Sequence, residues 1–201
     1  MAKQRIGIYA GVFDPVHSGH ISFALQALEE AKLREVYFLP ERKPLYKPGA
    51  EHYGHRVAML RQACKPYEKL ALAEVVEREF SIKKTVLRLE QTFADATLAW
   101  LMGADVFVRI PEWKDIDTFI KRAEFVIAVR SDEELKAVMA TIARLHIPSK
   151  SVRIVDSLRP EVSSTKMRYA IRRNKYVDGL LLSVAKYAKR EWLYASVRQN
   201  V

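Results

Sequence analysis

Ala10-Gly11-Val12-Phe13-Asp14-Pro15-Val16-His17-Ser18-Gly19-His20 joins two stretches of different periodicity, and that junction decides the fold. Upstream, Arg5-Ile6-Gly7-Ile8-Tyr9-Ala10 is short, apolar and β-prone. Downstream, Ile21, Ala24, Leu25, Leu28 and Ala31 recur at helical spacing between His20 and Lys32. A buried strand passing through a glycine-containing turn into a helix is the opening of an α/β sheet.

The alternation continues along the chain. Glu35-Val36-Tyr37-Phe38-Leu39 reads as a strand ended by Pro40, and Pro44, Pro48 and Gly49 mark an irregular basic loop. Helices are expected over 55–63, 85–93, 115–122, 132–145, 164–173 and 180–192, with further strands at 70–73, 97–102, 125–129 and 152–155. Thr97-Leu98-Ala99-Trp100-Leu101-Met102 is continuously apolar, as in a parallel strand covered on both faces. The predicted fold is a Rossmann-like α/β domain, a parallel sheet with helices on both faces. No long linker divides the chain, so residues 1–201 are read as one domain with a C-terminal helical part over roughly 163–201.

Composition agrees with an ordinary globular enzyme or binding domain. Of 201 residues, 49% are hydrophobic and 29% charged, which excludes collagen-like, low-complexity and wholly disordered classes. Cys64 is the single cysteine, which removes internal disulfides and cysteine zinc cages and suits a reducing, cytoplasmic setting. No apolar run approaches the ~18 residues of a membrane span, and the N-terminus lacks the apolar stretch of a signal peptide. Lys and Arg outnumber Asp and Glu by 34 to 24, a formal charge of +10 that suits a nucleotide, a nucleic acid or simply solvent counterions and does not choose among them.

The chemistry is expected where the first strand ends, because ligands of such sheets bind at the carboxyl ends of strands. His17 and His20, three apart at a helix start, share one face. With the free N–H groups of that start they form a phosphate pocket. Either histidine alone also reads as a surface residue on a turn. The combination Phe-Asp-Pro-x-His-x-Gly-His arises by chance at about 10⁻⁸ per position from average composition. A second constellation, Ser163-Ser164-Thr165, is an N-cap cluster with Arg168 one turn further on, aiming a planar donor fork at the same anion.

These motifs resemble the nucleotidyltransferase superfamily with the (H/T)xGH signature, most closely its nicotinate (nicotinamide) mononucleotide adenylyltransferases. Landmarks run in order through nearly the whole chain: Gly11 to His20, Pro44 to Lys47, His55-Arg56-Val57-Ala58-Met59-Leu60, Gly103-Ala104-Asp105 followed by Trp113, Val129-Arg130, and Val162 to Arg168. The resemblance implies transfer of the adenylyl group of ATP to a pyridine mononucleotide in NAD biosynthesis, with Mg2+ arriving with ATP. It assigns His17, His20 and Arg168 to catalysis. ATP would be bound by Ala10, Gly11, Val12, Phe13, His17, His20, Gly103, Asp105, Ser163, Ser164, Thr165 and Arg168. The acceptor would be bound by Lys47, Trp113 and Arg130, with Trp113 stacking on the pyridine ring. No residues are assigned to a resident metal.

The chain departs from the family pattern at several positions. Ala10 and Val12 stand where Gly and Thr or Ser are usual, Leu45-Tyr46 where Pro-His is typical, and Ile82 and Lys84 where polar and acidic residues fall near the base-recognition region. These leave three alternatives: another HxGH nucleotidyltransferase with a different phosphate acceptor, a non-catalytic nucleotide-binding regulator, and a basic nucleic-acid binder. Phosphopantetheine adenylyltransferases typically carry Thr where His17 stands, and the RTxGIST ending of glycerol-phosphate-type cytidylyltransferases is absent. No RNA-recognition, KH or zinc-finger motif is present, so the expected partners are small molecules, without membrane or nucleic acid and with oligomeric state open. Trp100, Trp192, His146 and Cys64 are read as structural.

Overall fold

The computed structural model describes residues 3–44 and 47–195. Leu45 and Tyr46, and residues 196–201 of the expected C-terminal part, lie outside the described residues.

Six strands form one sheet, all neighbouring pairs parallel: β1 (Gln4–Gly11), β2 (Glu35–Pro40), β3 (Leu70–Leu72), β4 (Ala96–Gly103), β5 (Glu124–Val129) and β6 (Val152–Asp156). Their spatial order is β3-β2-β1-β4-β5-β6, the doubly wound arrangement. The strand alternation explains why so much of the sheet is apolar. Tyr9, Ala99, Leu101, Val126 and Ala128 point into one core. Ile8, Leu98, Trp100, Met102, Phe125 and Ile127 point into the other. Both faces are buried, so neither set can be polar.

Helices α1 (Ser18–Glu30), α2 (Tyr53–Cys64) and α8 (Leu182–Arg190) cover the first face through Phe23, Ala24, Ala27, Met59, Leu60, Val184 and Ala188. The second is covered by α3 (Leu87–Thr92), α4 (Ala104–Phe107), α5 (Ile116–Ile120) and α6 (Asp132–Arg144) through Leu89, Phe107, Phe119 and Val138. Helix α7 (Ser164–Arg172) buries Met167 and Ala170 against Val162 and Leu180.

Boundaries shift by a few residues from the sequence reading, with local reasons. The helix expected from Thr85 begins earlier, as a π-turn over Ile82–Val86 that continues into α3. Thr85 closes it: its Oγ1 accepts the Ser81 N–H at 3.0 Å, while its own N–H donates to the Ser81 carbonyl at 2.7 Å. The short helix α4 and the 3₁₀ turn Ile110–Glu112 have too few residues to show periodicity in the sequence. Trp100 is core as expected, but Trp192 is 83% exposed and is not a packing residue. Its position past the last turn of α8, at φ +55°, turns the ring away from the sheet.

The C-terminal elements dock onto the start of α1. Ser18 N–H donates to the Gly179 carbonyl at 2.9 Å. Gly179 has φ +91°, and a Cβ there would lie 2.7 Å from Val162 Cγ1, so only glycine fits.

Candidate active site

The strand order reverses direction between β1 and β4, which end at Gly11 and Gly103. That switch point is where a crevice opens in sheets of this kind. Residues 12–17 leave β1 there through Phe13 at φ +52° and a cis Asp14–Pro15 bond. Gly11 serves the turn itself: a Cβ would meet the Phe13 ring at 3.0 Å.

His17 caps α1 and is buried, and its ring stacks on His20 with centroids 3.7 Å apart. The His17 main-chain N–H donates to His20 Nδ1 at 3.2 Å. An accepting Nδ1 puts the His20 proton on Nε2, the tautomer this hydrogen bond assigns. Burial, reinforced by the charges of Arg130 and Lys47, pulls His17 down to about 3. Burial, the neighbouring His17, and the same two cations also hold His20 well below the usual imidazole range. Both rings are therefore neutral at physiological pH. Phe13 meets His20 edge-on at 5.1 Å and fixes its plane. His17 Nδ1 is buried without a hydrogen-bond partner among the described residues.

The Ser163–Arg168 constellation reaches the same loop. Ser163 Oγ accepts the Lys166 N–H at 3.3 Å as the N-cap of α7, and Ser164 Oγ donates to the Pro15 carbonyl at 3.0 Å. Arg168 donates through Nη1 to the Asp14 carbonyl at 2.7 Å and through Nη2 to Thr165 Oγ1 at 3.1 Å. These hydroxyls are thus engaged within the protein. The N–H groups of Ser164 and Thr165, at the first turn of α7, remain free for an anion among the described residues.

At the end of β4, Asp105 is exposed, and a Cβ on Gly103 would lie 2.6 Å from its Oδ1. The charges of Asp105 and Arg130 both act on the Tyr9 hydroxyl, whose proton is held mainly by burial. Arg130 follows the end of β5 and Lys47 lies within the loop after β2, both exposed. Their charges converge on the two histidines. Trp113 is half-buried, packed between Phe80 at 5.3 Å and Phe119 at 6.3 Å. Ile82 is buried in the core beneath that wall, Lys84 is exposed, and Lys83 pairs with Asp115 at 2.8 Å.

The sequence model of the cytidylyltransferase-like family matches residues 8–170, a span that includes β1, both histidines and Arg168.

The chain belongs to the cytidylyltransferase-like family.

Its relatives narrow the type of nucleotidyltransferase. A protein of Coprothermobacter proteolyticus named "Probable nicotinate-nucleotide adenylyltransferase" is 32% identical over 96% of this chain and 97% of its own length. Another of the same name, from Neisseria meningitidis, is 31% identical over 95% and 98%. In fold, the chain superimposes on Plasmodium falciparum nicotinic acid mononucleotide adenylyltransferase complexed with NaAD. The TM-score is 0.76 at 16% identity, covering 95% of this chain and 97% of that one. The protein is a nucleotidyltransferase of the α/β type that the motifs predicted.

Two residues of this cytidylyltransferase-like site were given no role from sequence, although Arg56 stands in the His55–Leu60 landmark. Arg56 is 1% exposed, and its guanidinium donates to the carbonyls of Val12 at 2.7 Å, Glu41 at 2.6 Å and Glu51 at 2.8 Å. It therefore ties the loop after β1 to the loop after β2. Its signal was present: Arg56, Met59, Leu60 and Ala63 lie on one helical stripe, where a cation must find oxygen partners. Tyr194 donates from its hydroxyl to Asp14 Oδ1 at 2.7 Å, with both groups buried. Nothing in the local sequence announces that contact.

Proposed function

We propose that the protein transfers the adenylyl group of ATP to nicotinate mononucleotide, giving nicotinate adenine dinucleotide and pyrophosphate, a step of NAD biosynthesis in the cytoplasm. The observation that carries this reading is the convergence of the stacked His17–His20 pair and of Arg168 on one loop at the sheet's switch point. The names and near-complete coverage of the relatives support the acceptor.

An oxygen of the acceptor's 5′-phosphate forms the new bond to the ATP α-phosphorus. The bond from that phosphorus to the bridging oxygen breaks in line, and its electron pair leaves with pyrophosphate. The attacking phosphate is already anionic at neutral pH, so no general base is needed, and catalysis is positioning plus charge stabilisation. His20 donates its Nε2–H to the α-phosphate region, and neutral His17 contacts the triphosphate. Arg168 and the free N–H groups of Ser164 and Thr165 hold the leaving phosphates. Ala10 to Phe13 line the nucleotide, Val12 without the hydroxyl usual there. Gly103 and Asp105 serve a ribose hydroxyl, and Lys47, Arg130 and Trp113 serve the acceptor. Magnesium is assigned to the substrate MgATP. Residues 1–201 act as one catalytic unit.

The test is pyrophosphate release with ATP and a panel of nicotinate mononucleotide, nicotinamide mononucleotide, phosphopantetheine and glycerol phosphate. Turnover fastest with nicotinate mononucleotide is expected. Release that is faster with another acceptor, or absent with all, overturns the reading.

A further inference from the structure

The loop that carries His17 presents an unusual set of contacts behind the site. An anion pocket must offer donors, so the carbonyl oxygens of its loop have to face elsewhere. Here three of them are taken by side-chain donors of the protein itself: Val12 by Arg56, Asp14 by Arg168 and Pro15 by Ser164. The one carboxylate of the loop, Asp14, is 6% exposed, and its Oδ1 receives the hydroxyl proton of Tyr194 at 2.7 Å.

Tyr194 itself is held at three further points. Its N–H donates to Glu51 Oε1 at 3.3 Å, its carbonyl accepts from Arg172 Nε at 3.2 Å, and its ring is buried beside Met59. Its φ is +60°, a left-handed conformation costly for a bulky residue, so surrounding contacts must over-determine it. Glu51 also lends its carbonyl to Arg56, which closes the circuit Tyr194–Glu51–Arg56–Val12 around Asp14. The C-terminal segment is thereby wired to the nucleotide loop some 180 positions earlier in the chain.

We infer that Tyr194 is a positioning residue for ATP: its hydroxyl, acting through the Asp14 carboxylate, fixes the loop that presents His17 and receives Arg168. This rests on the adenylyltransfer reading for its kinetic expression, though not for its binding expression. A buried hydrogen bond to a charged group is hard to replace, and losing its donor leaves the carboxylate to find another partner by moving the loop.

Tyr194→Phe keeps the ring and removes only the O–H. Expected are a roughly tenfold rise in the KM for ATP, an acceptor KM within twofold of wild type, and a melting temperature only a few degrees lower. A residue that merely holds the fold would lower the amount of active enzyme, and hence kcat, while leaving both KM values alone. Asp14→Ala, which removes the acceptor, completes a double-mutant cycle: because the hydroxyl acts through Asp14, adding Tyr194→Phe to Asp14→Ala should change the ATP KM less than twofold. An unchanged ATP KM in Tyr194→Phe, an equal rise for both substrates, or the same rise in both backgrounds overturns the inference. Equilibrium binding of MgATP to wild type and variants keeps the two readings apart. A wild type that binds MgATP tenfold more tightly than Tyr194→Phe but turns over no acceptor would refute the function and support the positioning role.

Discussion

The main-chain N–H of His17 donates to Nδ1 of His20 at 3.2 Å while the two rings stack at 3.7 Å, so His17 sets the tautomer of His20 and the rings hold each other's orientation. Two cationic imidazoles could not share this geometry beside Arg130 and Lys47, and the pair stays neutral. The positive field at the site comes from arginine and lysine, and the histidines supply aimed hydrogen bonds.

Stability should carry the mark of that neutrality. Free histidine titrates near 6.5, whereas His17 in the fold is pulled down to about 3. Between those values the unfolded chain binds the extra proton, so stability falls as pH drops from about 6.5 towards 3, and His17 adds no slope above 6.5. The contribution reaches up to about 1.4 kcal/mol per pH unit. Urea midpoints at pH 7.5, 6 and 5 should fall more steeply for wild type than for His17→Gln; parallel lines would show that His17 is not buried neutral.

His20→Ala should lower kcat by roughly 10²–10³-fold, the usual loss for one preorganised donor to developing charge. The structure adds a modest stability cost of about 1 kcal/mol, because the ring also packs edge-on against Phe13. Steady-state kinetics on the folded variant decide it, and wild-type turnover would remove His20 from the mechanism.

For Arg168 the prediction separates charge from geometry. Its fork already bridges the Asp14 carbonyl and Thr165. Arg168→Lys keeps the charge but not both contacts, so it should recover only part of the kcat and ATP affinity lost in Arg168→Ala. Since Arg168 is docked on the loop, Arg168→Ala should also cost about 1 kcal/mol of stability, measurable by denaturant melts. A lysine variant as active as wild type would mean that charge alone suffices.

Gly103→Ala tests Asp105 indirectly. The φ of −74° suits alanine, so the fold should survive. The new methyl would sit 2.6 Å from Asp105 Oδ1 and push that carboxylate aside. Activity should drop at least tenfold with thermal stability within a few degrees of wild type, and a fully active Gly103→Ala would exclude Asp105 from substrate binding.

Much of this was legible in the chain itself. Apolar runs at 97–102 and 125–129 announced doubly covered parallel strands, because a strand buried on both faces has no polar side to show. The spacing of His17 and His20 announced a shared face at a helix start, because three residues make most of a helical turn. The serine cluster announced the cap of α7 for the same local reason. Sequence-local patterns fix sequence-local geometry.

What tertiary structure alone decided involves partners far apart in the chain. Which carbonyls Arg56 would satisfy, that Ser164 would give its proton to Pro15, and that Tyr194 would close on Asp14 all depend on the docking of elements tens to nearly two hundred residues apart. The neutrality of the histidines belongs here too. An imidazole's proton affinity is set by burial and by the charges that packing brings near, and neither Arg130 nor Lys47 is a sequence neighbour of His17.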